Sequence, residues 1–211
     1  MTVKSIIFDI DGTLWDSRQQ VAEGYNQQLM AEGLPHLCVT AEQLKFLFGK
    51  TMTEIADILF QELPAAERYG LMERCMSREN GHILQSDTIR GYPGVTQTLK
   101  QLAREYELYI VSNSQQGYPE VCMQKMDLTE IIRDHLCFGD TGTEKGQTIL
   151  ELMRRNGITD AVYVGDTQGD YEATLVAGIP FIWAAYGFGN PEGYAARIDD
   201  IGQLPQTLQT L

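Results

Sequence analysis

Two aspartates separated by one residue, Asp9 and Asp11, close an apolar run and are followed at once by Gly12, Thr13 and Leu14. Side chains alternate along an extended segment, so both carboxylates point the same way. Two anions so placed repel unless a cation or a proton stands between them. A chance Asp-x-Asp-Gly-Thr in a chain of this size is roughly a few-in-a-thousand event at average residue usage. A solvated turn bent by Gly12 accounts for one acid better than for two. Farther along stand Val111-Ser112-Asn113, Val164-Gly165-Asp166 and the polar stretch Gly139 to Lys145. Three carboxylates with a hydroxyl, an amide and one lysine suit a hard cation such as Mg²⁺ bound together with a phosphate.

These groups are distant in sequence, and only a fold that gathers strand ends can unite them. Lys4 to Asp9, Leu108 to Ser112, Ala161 to Gly165 and Pro180 to Ala184 are short apolar runs rich in Ile, Val, Tyr and Phe. They read as buried parallel strands. Helix-length segments, Tyr92 to Arg104, Pro119 to Arg133, Lys145 to Arg155 and Gln168 to Ala177, lie between the later runs. Alternation of this kind predicts an α/β doubly wound parallel sheet, in which ligands bind outside the carboxyl ends of the strands.

The gap between the first strand and the one near Leu108 far exceeds an ordinary crossover of about a dozen residues. Apolar residues recur there at threes and fours: Val21, Tyr25 and Leu29, then Met52, Ile55, Leu59 and Leu63, then Tyr69, Met72 and Met76. An all-helical insert is expected from about Trp15 to Arg90, leaving 1–14 and 91–211 as one discontinuous core domain. Ser17 with Gln20, Thr40 with Gln43 and Thr51 with Glu54 fit capping boxes, and Gly33 with Pro35 supplies a stop. Thr167 with Asp170 fits a further capping box.

Taken together, Asp9-Ile10-Asp11-Gly12-Thr13, Ser112-Asn113, Lys145 and Gly165-Asp166-Thr167-Gln168-Gly169-Asp170 resemble the four motifs of the haloacid dehalogenase-like superfamily, specifically its phosphoglycolate phosphatase-like members. The resemblance spans nearly the whole chain. It implies a Rossmann-like core with a mobile helical cap, and a Mg²⁺-dependent phosphatase acting on a small phosphomonoester. Asp9 would attack phosphorus and carry an aspartyl-phosphate, while Asp11 would protonate the leaving alcohol and then activate water. Asp9, Asp166 and the Asp11 carbonyl would hold the metal, with Asp170 supporting that site. Ser112 would bond a phosphate oxygen, with Asn113 bracing the loop or the phosphate, and Lys145 would supply fixed positive charge. Lys145 is the last lysine of the chain, and Gly146 follows it where the family pattern has proline. Lys50, in Phe48-Gly49-Lys50-Thr51, occupies the segment where relatives place specificity residues; a solvated lysine beside a helix start is the simpler reading of it.

Alternatives from the same residues are a phosphosugar mutase of the β-phosphoglucomutase type, which also needs Asp9 and Asp11, and a non-catalytic phosphate-binding module. The dehalogenase branch resembles the first motif without its second acid. Composition narrows the partners. The 211 residues carry 29 acidic against 16 basic side chains, a formal charge of -13, which disfavours nucleic acid and anionic membrane. No apolar run approaches the ~18 to 20 residues that span a bilayer, and the three apolar residues before Asp9 are too few for a signal-peptide core. Cys38, Cys75, Cys122 and Cys137 form no C-x-x-C pair and no cluster with His36, His82 or His135, so free thiols in a cytoplasmic protein are expected. The histidines read as surface or packing residues. No P-loop or dinucleotide fingerprint is present. A monomer or small homo-oligomer is compatible with this surface.

Overall fold

The structure, a computed structural model, describes residues 3–89 and 91–211. Met1, Thr2 and Arg90, the expected last residue of the insert, lie outside the described residues. In chain order the elements are β1 (Ser5–Phe8), α1 (Arg18–Ala31), α2 (Ala41–Lys45), α3 (Met52–Leu59), α4 (Ala65–Gln85), α5 (Val95–Leu102), β2 (Glu107–Ser112), α6 (Tyr118–Lys125), β3 (Ile132–Cys137), α7 (Phe138–Thr141), α8 (Lys145–Asn156), β4 (Ala161–Gly165), α9 (Gln168–Ala177), β5 (Phe181–Ala184), β6 (Ala196–Ile198) and α10 (Leu204–Leu208). Single 3-10 turns stand at Pro35–Leu37 and Ile201–Gln203. The chain divides into two compact units, Met1–Asp16 with Arg90–Leu211, and Ser17–Ile89.

In the first unit every strand pair is parallel, in the order β3-β2-β1-β4-β5-β6. Such strands are buried on both faces, so they need continuous apolar runs rather than alternation. Ile6, Ile7, Phe8, Ile110, Val111, Val162, Tyr163 and Val164 are accordingly all buried. On one face Ile7, Tyr109, Val111, Tyr163 and Trp183 pack with Ile149 and Leu152 of α8 and Ala173 of α9. Each such aliphatic side chain, fully buried, contributes about 1.5–3 kcal/mol. The chain steps outward from β1 to β3 on one side and from β4 to β6 on the other. That reversal between β1 and β4 makes the crevice in which doubly wound sheets bind ligands.

Two strands, β3 and β6, escape the apolar-run criterion because they sit at the edges. Ile-Arg-Asp-His-Leu-Cys has exposed and half-buried polar residues at its centre, and β6 is only three residues long. The expected helix from Pro119 to Arg133 is therefore corrected: α6 ends at Lys125, Asp127 takes a positive φ of 55°, and Ile132 opens a strand. The other three helices fall within a few residues of their expected bounds.

The second unit is helical throughout its described elements. Val21, Tyr25 and Leu29 of α1 and Leu71, Met72, Cys75 and Ile83 of α4 are buried, the spacing of an apolar stripe on each helix. Gly24 permits the close approach of the two, since a Cβ there would lie 2.8 Å from Glu79 Cα. Tyr69 leaves the expected stripe: it is exposed and donates its hydroxyl to Asp57 at 3.0 Å. Thr40 and Thr51 form capping boxes. Ser17 does not, because its backbone is already helical and makes no side-chain cap bond, while Gln20 donates to Thr88 Oγ1 at 3.0 Å. His82 and His36 pair with Glu23 and Glu62, each at 2.9 Å, and in the first unit His135 stands 3.9 Å from Glu120. All four cysteines are free, and among the described residues no helix is long and apolar enough to cross a membrane.

Gly146 explains its own departure from the family's proline. A Cβ at this second residue of α8 would lie 2.7 Å from Val176 Cβ and 3.2 Å from the Ala173 carbonyl oxygen of α9. Proline carries that Cβ as well. Gly146→Ala is expected to destabilise the protein by about 1–3 kcal/mol through overpacking. The same change at Gly81, inside α4 with nothing within 4 Å, should stabilise by about 0.5–1 kcal/mol. Urea unfolding of the two variants reads the opposite signs; equal shifts would contradict the packing argument.

Candidate active site

Register decides which side chains meet. Phe8 is level with Ile110 of β2 and Val164 of β4. Asp9 stands one residue beyond Phe8, Ser112 two beyond Ile110 and Asp166 two beyond Val164, so all three leave the same edge of the sheet. Lys145, the first residue of α8, reaches the same edge from its helix. Its Nζ lies 2.8 Å from Asp9 Oδ1 and 2.7 Å from Asp170 Oδ1. Asp9, Lys145, Asp166 and Asp170 are all buried.

Three of the four expected motifs thus supply one ionic cluster, but its members are treated differently. Asp170 is saturated. Its Oδ1 accepts from Lys145, and its Oδ2 from the backbone N–H groups of Asp166 and Thr167 and from Thr167 Oγ1. A carboxylate offers about four lone-pair sites, so the protein fills this one itself. Burial raises the Asp170 carboxyl, yet Lys145 and the Thr167 donors overcome it and hold the group below its ordinary value. The capping box with Thr167 and the ion pair with Lys145 are made by one side chain.

Asp166 is the opposite case. Its Oδ2 accepts from the Phe188 backbone N–H at 2.6 Å, while Oδ1 is buried with no hydrogen-bond partner. Burial, then the charges of Asp170 and Asp9, push it well above the usual carboxylate range. Asp9 is pushed up to about 7, chiefly by burial, with Lys145 pulling the other way and Asp170 and Asp11 adding repulsion. Burial alone would lower Lys145, but its two carboxylate neighbours raise it, so it stays a cation.

One cation therefore faces three buried carboxylates. Ligand oxygens of Asp9, Asp166 and Asp170 lie within 4.8 Å of one another, and an orphaned buried oxygen costs about 1–3 kcal/mol or more when charged. Gly12, at a φ of 83°, leaves the space in front of Asp166 open: any Cβ there would overlap both carboxylate oxygens. A hard divalent cation fits an all-oxygen donor set with an unmatched negative charge.

Asp11 is half-buried, and its Oδ1 accepts from Trp15 Nε1 at 3.0 Å and from the Tyr118 hydroxyl at 2.7 Å. Ser112 Oγ is buried and accepts from the Ser114 backbone N–H at 3.2 Å, and Asn113 follows it, half-buried, just past β2. Lys50 belongs to the Ser17–Ile89 unit, exposed on the turn between α2 and α3 after Gly49.

A sequence profile of the haloacid dehalogenase-like hydrolases matches residues 6–184, which include all four motifs. The chain belongs to that family. It is 28% identical to the phosphoglycolate phosphatase of Xanthomonas campestris over 97% of this chain and 94% of that one. To the phosphoglycolate phosphatase of Aliivibrio fischeri it is also 28% identical, over 94% and 91%. Among solved structures, a haloacid dehalogenase-like hydrolase from Streptococcus pneumoniae superposes with a TM-score of 0.82 over 99% of both chains, at 17% identity. A 2-haloacid dehalogenase from Pseudomonas syringae shares the fold at a TM-score of 0.67 and 22% identity, over 99% of both chains.

Beyond the family motifs, the haloacid dehalogenase-like core of this chain adds contacts that sequence reasoning missed. Tyr163 reads as one more apolar strand residue, yet its hydroxyl donates to Val111 O at 2.9 Å and lies 3.4 Å from Asp170. The Tyr186-Gly187-Phe188 turn carries no motif, but its Phe188 N–H holds Asp166, and the Tyr186 hydroxyl donates to the Thr13 carbonyl at 2.8 Å. Tyr118, well after the Ser112 motif, reaches Asp11 with no spacing signal at all.

Replacing Lys145 by methionine leaves the buried carboxylates without their cation, an expected loss of about 3–5 kcal/mol at pH 8. Burial then raises Asp9 and Asp170 in the folded state above their unfolded values. The folded variant binds the extra protons, so its deficit relative to the parent should grow as pH rises above roughly 4. Denaturant unfolding at pH 5.5 and 8 checks this; a deficit independent of pH would contradict it.

Proposed function

We propose that the chain is a Mg²⁺-dependent phosphatase that hydrolyses a small organic phosphomonoester, phosphoglycolate or a close anionic analogue, through an aspartyl-phosphate on Asp9. The observation that carries this reading is the buried Asp9, Lys145, Asp166 and Asp170 cluster at the switch point of the sheet. Its similarity in sequence to phosphoglycolate phosphatases supports the substrate class.

Asp9 supplies the nucleophilic oxygen, and the Lys145 ammonium, already 2.8 Å from it, offsets charge on the transferring phosphoryl group. Ser112 donates its hydroxyl to a phosphate oxygen, and Asn113 braces the same group. Asp11 gives a proton to the leaving alcohol and takes one from the water that releases phosphate. Asp9 and Asp166 would hold the cation, together with the Asp11 carbonyl, while the saturated Asp170 keeps Lys145 and the Asp166 loop in place. Bound there, Mg²⁺ would neutralise phosphate charge beside the nucleophile.

The Ser17–Ile89 unit reads as the cap that excludes water and selects substrate, with Lys50 a candidate contact for a second anionic group. Free thiols and the acidic surface suit a cytosolic enzyme.

Phosphate release from a panel of phosphomonoesters tests the proposal. Selective release that EDTA abolishes and Mg²⁺ restores is expected, with Asp9→Asn reducing turnover about a thousand-fold or more while the fold is kept. Isomerised sugar phosphate without free phosphate would favour a mutase, and no product from any ester would refute both. Because Asp9 sits near 7 without the cation, proton and metal compete for it. Mg²⁺ affinity by calorimetry should fall from pH 8 to pH 6 and release protons on binding; a flat profile would contradict this.

A further inference from the structure

We propose that Tyr118 and Trp15 are positioning residues for the proton-transfer step: they fix the orientation of the Asp11 carboxyl group. The inference rests on the acid and base role proposed for Asp11.

Both donors address one atom. The Tyr118 hydroxyl lies 2.7 Å and Trp15 Nε1 3.0 Å from Asp11 Oδ1. A carboxyl oxygen has two lone pairs in its plane, so two donors occupy both. Two donors on one oxygen set the plane of the group. In the first step an Asp9 oxygen bonds to phosphorus and the Asp11 proton passes to the leaving alkoxide oxygen as its bond to phosphorus breaks, leaving Asp11 a carboxylate. In the second step, water bonds to phosphorus through its oxygen and loses a proton to the Asp11 carboxylate, and Asp9 is released as a carboxylate with inorganic phosphate.

The donors are themselves held firmly. Trp15 is fully buried, and its backbone closes the turn that bears Asp11, with Gly12 N–H donating to the Trp15 carbonyl at 2.9 Å and Trp15 N–H to the Ile10 carbonyl at 3.3 Å. Tyr118 is 2% exposed and begins α6 immediately after Gly117, whose φ of 85° turns the chain. The two rings meet edge to face, with centroids 5.7 Å apart and planes at 69°. A tyrosine at the start of α6 and a tryptophan two residues past the first motif thus reach one carboxyl oxygen and brace each other.

An acid is needed for a poor leaving group and not for a good one, and that difference gives the test. Release of the leaving group in the first turnover is measured for an alkyl phosphate and for p-nitrophenyl phosphate, in the parent, Tyr118→Phe and Asp11→Asn enzymes with Mg²⁺. Tyr118→Phe keeps the ring and should slow the alkyl ester at least about tenfold and the aryl ester less than about threefold. Trp15→Phe, which removes the second donor, should discriminate in the same sense. Asp11→Asn should discriminate more strongly. If Asp11→Asn discriminates while Tyr118→Phe slows both esters equally, or neither, the positioning role is overturned and the acid role stands. If Asp11→Asn does not discriminate, the acid role falls, and the proposal with it.

Discussion

The Lys145 ammonium lies between Asp9 and Asp170, buried with both of them, and the rest of the site is arranged around that contact. Removing three charges from water costs several kcal/mol each unless partners replace the solvent. Asp170 receives those partners from Lys145 and the turn that opens α9. Asp9 receives Lys145 and is pushed up to about 7, mainly by burial. Asp166 is satisfied on one oxygen and orphaned on the other. Positive charge therefore matches negative charge around Asp170 and falls short of it around Asp9 and Asp166.

Such a gradient depends on where the sheet places its strand ends. Lys145 and Asp170 come from helices whose apolar faces pack on one side of the sheet, through Ile149, Leu152 and Ala173. The close contact of α8 and α9 at Gly146 and Val176 brings the helix that starts with Lys145 against the helix that Asp170 caps. Packing and electrostatics are thus coupled: a larger residue at position 146 would separate the elements that bring the ion pair together. Gly12 performs a related task, leaving the side of Asp166 that faces the first motif free of a side chain.

Much of this is legible in the residues themselves. The central strands announce themselves by continuous Ile, Val and Phe because both faces are buried, and the polar residues that terminate them follow at fixed offsets. The edge strand Ile132–Cys137 does not, since its middle residues are polar and only half-buried, and its sequence runs on from a helical segment without a clear break. Asp9, Asp166 and Lys145 carry a spacing signal, and Asp170 carries two that the structure merges into one side chain. Tyr163 and Tyr118 carry none, because a tyrosine whose ring is buried looks like any other core aromatic until its hydroxyl partner is known. Ser17 illustrates the converse: a capping pattern in sequence is overridden when Gln20 finds a partner in Thr88 instead.

The central claim is that Asp9 takes the phosphoryl group, and chemical trapping tests it most directly. Borohydride reduces an acyl phosphate to the alcohol but leaves a free carboxylate intact, so enzyme quenched during turnover with Mg²⁺ and substrate should contain homoserine at position 9 by peptide mass spectrometry. No homoserine should form without substrate or in Asp9→Asn. Turnover that proceeds with Asp9 unmodified, or trapping at another residue, would contradict the account.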